Sequence, residues 1–177
     1  MTSLIGAAIQ HLLLAYGGFF ISAGIGILGA VLALRSGMIR VPLLMMTSLL
    51  QAIPAFTIVA LIVPFLGIGF VPALVVIVLA TLLPVVRNTI IGLSTTDPVL
   101  IEVADSIGMT WYDILIRVRF PLGIRPIFAG LRLSSVVANA VAVMTVFIGS
   151  GGLGAVVLEG LVRYHTPGII AGVLPAI

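Results

Sequence analysis

Carboxylates can act as general acids and bases when they are brought together. Four of this chain's five, Asp97, Glu102, Asp105 and Asp113, fall in one stretch, DPVLIEVADSIGMTWYDILIRVRFP, residues 97–121. Arg117 and Arg119, two of the eight arginines, share that stretch, and apolar sequence flanks it on both sides. Catalysis within an apolar bundle would need acidic groups paired deep inside the apolar segments, and here they gather outside them. His11 and His165 have no ligand-bearing neighbours, and the absence of Cys removes any disulfide framework or thiolate metal site. GSGGLG at 149–154 superficially looks like a phosphate-cradling loop, but no strand precedes it; a backbone turn opening a short external helix over 155–163 fits better. No catalytic constellation, cofactor or metal is therefore expected, and the charged stretch is left with recognition as its chemistry.

The elements that must carry it are set by composition. Of 177 residues, 62% are hydrophobic and 7% charged, against about 25% charged in soluble domains. With a mean hydropathy of +1.41, the chain reads as an all-α, polytopic membrane protein, a single domain over 1–177. The pI near 10.2 does not point to nucleic acid, because a net charge of +3 from scattered arginines makes no basic patch.

Crossing the hydrocarbon core takes roughly 20 apolar residues. Candidate spans are His11–Leu34, Val41–Val63, Pro72–Leu93 and about Pro126–Ile148. A fifth apolar stretch starts near Thr166; its twelve residues to Ile177 would rise only about 18 Å, so the last span is read as incomplete. Arg35 and Arg40 lie between spans one and two, and Arg117, Arg119 and Arg125 between three and four, whereas the turn PFLGIGFV carries no charge. The excess of arginine in cytoplasmic loops places the N-terminus outside and the charged insert, 94–125, in the cytoplasm of a plasma (inner) membrane protein.

Within the insert, Asp97 and Pro98 suit an N-cap and first helical position. Ile101, Ala104 and Ile107 recur on one face, and Gly108 closes the helix in a left-handed conformation. Thr110 and Asp113 resemble a capping box for a second short helix that Pro121 ends. Three readings stand: an interfacial hairpin on lipid, a disordered loop, or a docking element for a soluble partner. An acidic polar face argues against an anionic leaflet, periodicity argues against disorder, and helix-in-groove docking is favoured.

Glu102-Val103-Ala104, three residues, Gly108, nine residues, then Val118-Arg119-Phe120-Pro121 resembles the EAA motif of ATP-binding-cassette importer permeases. Val103, Val118 and Phe120 depart from its pattern but stay apolar. LLPVVRNTIIGL at 82–93, FPLGIRPIFAGLRLSS at 120–135 and IGSGGLG at 148–154 extend the resemblance to permeases of osmoprotectant importers, which carry glycine betaine, choline and carnitine; methionine permeases are similar in size and layout. The resemblance implies that the insert is a coupling helix seated in a cleft of an ATPase subunit, with Glu102, Ala104, Asp105, Gly108, Met109 and Thr110 as its contact. It also implies a second permease subunit and an extracytoplasmic substrate-binding protein. The chain itself holds no G-x-x-x-x-G-K-[ST] sequence.

Arg87 and Asn88 in the third span and Arg132 and Asn139 in the fourth are candidate pathway or gate residues. Snorkelling competes for the arginines, and a helix–helix hydrogen bond for Asn139. Gly18, Ser22, Gly26 and Ala30, four apart, form a close-packing seam, within the subunit or between subunits. Pro54, Pro64, Pro84 and Gly92 can kink or end helices. Glu159 and Arg163, one turn apart, can pair with each other or meet the binding protein.

Overall fold

Residues 3–176 are described in the computed structural model, and they fold into helices joined by short turns with no strand among them. Helix α1, Leu4–Arg35, begins seven residues before the expected span because the Ser3 hydroxyl accepts the Gly6 N–H at 3.1 Å and caps the extra turns. The second expected span is not straight. It divides into α2, Gly37–Ala52, and α3, Ala55–Leu66, bent by 100°. Pro54 disfavours helical geometry in the residue before it, and Ile53 is extended there, at φ −80° and ψ 125°. The other proposed kink points behave differently: Pro64 sits in the last turn of α3, and Pro84 and Gly92 lie inside α4, Phe70–Ser94, without breaking it.

Helix α5 spans Pro98–Ser106 and α6 Trp111–Ile114. The sequence reading that Pro121 ends the second insert helix is corrected. α6 runs through a π turn, Leu115–Arg119, into α7, Phe120–Met144, and on to Ile148, as one helix of 38 residues. A proline ring crowds the carbonyl four residues back and supplies no N–H. The widened turn just before Pro121, closed by Phe120 N–H donating to the Leu115 carbonyl, absorbs that conflict. The helix that carries the fourth candidate span therefore starts well before Pro126. The chain ends in α8, Gly152–Val162, and α9, Thr166–Val173, which folds back on α8 through Gly160 and Gly172.

α4 lies between α1 and α7. A Cβ built on Gly18 would stand 2.6 Å from Ile77 Cγ2, and one on Gly26 2.7 Å from Val85 Cγ1. The small-residue seam of α1 therefore packs against α4 of the same chain. The α4–α7 crossing is closer still. A Cβ on Gly123 would press into the Gly92 oxygen, and one on Gly92 would lie 2.6 Å from the Gly123 oxygen, so backbone meets backbone. Ser134 donates to the Thr81 carbonyl across the same interface at 2.9 Å, a polar contact of the kind that holds helices together in lipid. Outward faces carry Phe20, Leu28, Phe65 and Phe128, all exposed. α1, α4 and Trp111–Ile148 are each long and apolar enough to cross a membrane, and the bent α2–α3 pair makes a fourth candidate.

Candidate functional site

The charged insert forms a knob built by local rules at both ends. Asp97 accepts the Val99 N–H at 2.9 Å with Pro98 at the first helical position, which starts α5. At the other end, Gly108 takes φ +80°. Its N–H donates to the Asp105 carbonyl at 2.9 Å, and the Met109 N–H to the Ala104 carbonyl at 3.1 Å. These two bonds are the Schellman arrangement, which satisfies the last carbonyls of the helix and requires a residue that tolerates positive φ. Thr110 then opens α6 with the expected capping box. Its hydroxyl accepts the Asp113 N–H at 3.2 Å, and the Asp113 carboxylate receives the Thr110 N–H at 3.3 Å. The 38-residue helix is about 57 Å long, nearly twice the hydrocarbon core, and Asp113, Arg117 and Arg119 in its first turns make that the end suited to stand outside it. There the Thr110 hydroxyl, the Thr110 amide and then Arg117, 3.4 Å away, hold the Asp113 carboxyl below its ordinary range.

The six residues expected to make the coupling contact come together. Glu102 and Asp105 are exposed on α5, Ala104 is buried beneath them, and exposed Gly108, half-buried Met109 and exposed Thr110 make the bend. Val99, Val103 and Ile107 are also exposed, so the knob offers apolar side chains flanked by carboxylates. α5 makes no extensive contact with any other helix.

The four pathway candidates are not gathered. Arg87 and Arg132 are exposed, and neither forms an ion pair among the described residues. Asn88 donates to the Pro84 carbonyl at 2.9 Å, inside its own helix, where Gly130 packs against it. Asn139 lies about 10 Å further along α7 than Arg132 and donates to the Ser135 carbonyl at 2.9 Å. That bond is within the helix, not the helix–helix bond expected. Asn139 nonetheless stands beside His11 of α1 and lines a cavity of 490 Å³ with Tyr16, Ser135, Val143, Val157 and Val173. Glu159 and Arg163 pair at 3.0 Å, and their exposure makes the bond weak.

Sequence reasoning missed three contacts. The Gln10 amide donates to the Ser150 carbonyl at 3.0 Å while its oxygen accepts the Gly152 N–H at 3.1 Å, clamping the glycine turn onto α1. Gln10 sits one residue before the expected start of the first span, and a longer span would have flagged it as a polar group in an apolar helix. Arg119 donates to the Leu93 carbonyl at 2.8 Å, and the Arg35 guanidinium lies 5.6 Å from the centre of the Trp111 ring. Long-range partners of this kind leave no spacing signal.

A family profile described as the binding-protein-dependent transport system inner membrane component matches residues 22–177. The chain belongs to that family. It is a multi-pass membrane permease subunit of an ATP-binding-cassette importer. The permease is 36% identical over 94% of its length to the carnitine transport permease protein OpuCB of Listeria monocytogenes, covering 76% of that protein. It is 38% identical over 72% of its length, and 59% of the relative's, to the glycine betaine/carnitine/choline transport system permease protein OpuCB of Bacillus subtilis. The osmoprotectant import permease protein OsmW of Salmonella typhimurium is 35% identical, over 93% of the permease and 79% of OsmW. In fold, the permease is similar to a chain of the inward-facing MetNI methionine transporter, with a TM-score of 0.82 and 18% identity over 98% of this chain and 88% of that one.

Proposed function

We propose that this permease moves osmoprotectants such as glycine betaine, choline or carnitine, and that its insert docks in a cleft of the partner ATPase. The observation that carries the coupling half is the state of α5. It is closed at both ends by its own caps, stands off the bundle and exposes Glu102 and Asp105 beside Val103 and Ile107. A helix held out with an apolar face and flanking charge is suited to entering a groove. With no nucleotide-binding sequence in the chain, energy must enter through a surface, and binding can shift an equilibrium between outward- and inward-open forms only by its differential affinity for them. The substrate half rests on relatives at 35–38% identity that are named for carnitine, glycine betaine, choline or osmoprotectant transport. The arginine distribution supports an insert on the cytoplasmic side and an N-terminus outside, where a binding protein would deliver solute.

Purification of the tagged permease from its native membrane, compared with a Glu102→Ala, Gly108→Asp double variant, tests the coupling half. An ATP-binding-cassette ATPase should accompany the wild type and be lost from the variant, with membrane insertion unchanged. An ATPase retained equally by both would remove the insert from the contact. Uptake of radiolabelled glycine betaine, choline, carnitine and methionine then tests the substrate; uptake of methionine alone would overturn the osmoprotectant reading.

A further inference from the structure

We propose that Arg119 is the positioning residue that fastens the far arm of the coupling insert to the end of α4, with Trp111 fastened to α1 through Arg35, so that a displacement of α5 reaches the bundle as one concerted movement. This inference rests on the coupling reading above.

Because α5 has no extensive side-on contact, a push on it leaves through its two ends. One end is the short link Thr95–Asp97 back to α4; the other passes the Gly108 turn into α6. From α6 the helix runs unbroken through the π turn into α7. A π turn is a soft point in such a rod, since its wider hydrogen-bond ring departs from the regular ladder. Without bracing, motion delivered at Trp111 could be lost as bending there.

The bracing sits at that turn. Arg119 is its last residue, and its Nη1 donates to the Leu93 carbonyl at 2.8 Å. Leu93 is the penultimate residue of α4, so its carbonyl is among the four left unpaired at a helix end, where the dipole favours a cation. The bond lies beside an apolar junction in which buried Leu93, Leu115 and Ile127 pack with Val31 and Leu34 of α1 and with Phe120 and Leu131. Three helices thus meet at the place where the guanidinium holds the π turn to α4. At the other end of the arm, Arg35, the last residue of α1, lies over the Trp111 ring, a second cationic tie. Neither arginine is needed to form the exposed knob, so both are free to act in transmission alone.

The test uses the complex of permease, ATPase and binding protein in proteoliposomes. It follows whichever of radiolabelled glycine betaine, choline or carnitine the wild type takes up. Arg119→Met should keep the ATPase bound and hydrolysing near the wild-type level while uptake falls about tenfold or more, the scale of losing a hydrogen bond to a charged group. Arg119→Lys, whose ammonium can still donate to the Leu93 carbonyl, should recover most of the uptake. Unchanged uptake in Arg119→Met would overturn the proposal, as would loss of bound ATPase or equal failure of the Met and Lys variants. If Arg119→Met does not reach the membrane, Arg119→Gln takes its place under the same criteria. A wild-type permease that brings no ATPase would instead defeat the coupling reading itself, a separate and recognisable result.

Discussion

At Gly108 the constraint is in the backbone. Its φ of +80° lies in the left-handed region, yet no atom lies within 4 Å of where a Cβ would stand, so a side chain would meet strain and no clash. Substitutions that differ in tolerance of that region therefore separate the turn from the surface. Gly108→Asn should preserve the Schellman bend and keep the ATPase bound. Gly108→Val should weaken the local structure by about 1–2 kcal/mol and lower the amount of co-purified ATPase. Equal binding by both would mean that the bend has no part in docking. The carboxylates at 102 and 105 belong to the opposite case, since they are exposed and their worth depends on what they meet.

Among the elements, the α4–α7 pair leaves the least room for change. The Gly92–Gly123 crossing brings each glycine against the other's carbonyl, and backbone atoms cannot rotate away as a side chain can. Gly123→Ala should destabilise the bundle by roughly 1–3 kcal/mol or more, read as a lower unfolding temperature in detergent. Gly24→Ala in α1, where a Cβ meets nothing within 4 Å, should leave that temperature unchanged. Loss of stability in both, or in neither, would refute the crossing as the tight contact. The bend between α2 and α3 follows from Pro54 and its effect on Ile53. Pro84, by contrast, is carried inside a helix packed on two sides.

For the molecule as a whole, orientation can be read by single-thiol labelling because the sequence contains no Cys. Ser106→Cys on α5 and Tyr164→Cys, at an exposed position between α8 and α9, place single thiols on segments that the arginine-based topology assigns to opposite sides. A membrane-impermeant maleimide should label Tyr164→Cys in intact cells and Ser106→Cys only after permeabilisation. The reverse pattern would invert the topology drawn from the arginines. It would also put the knob on the wrong side of the membrane for any ATPase.

Much of the insert was legible residue by residue. Asp97 with Pro98, the Gly108 turn and the Thr110–Asp113 box are local hydrogen-bond patterns, and residues two to five apart in the chain are enough to specify them. The membrane class was equally legible, because apolar content and span length are sums over sequence. Where helices stop was less so: Pro121 reads as a terminator, but a π turn lets the helix pass it. The partners of Arg119, Gln10 and Trp111 lie 26, 140 and 76 residues away, each in another segment. Which small residues meet, as Gly92 and Gly123 do, depends on helix crossing as well as on composition. Local geometry and solvent preference are properties of a segment, so the sequence alone determined the caps, the turn and the membrane. Contacts between segments depend on how the helices pack, and only the tertiary structure decided which arms of the insert are tied to the bundle.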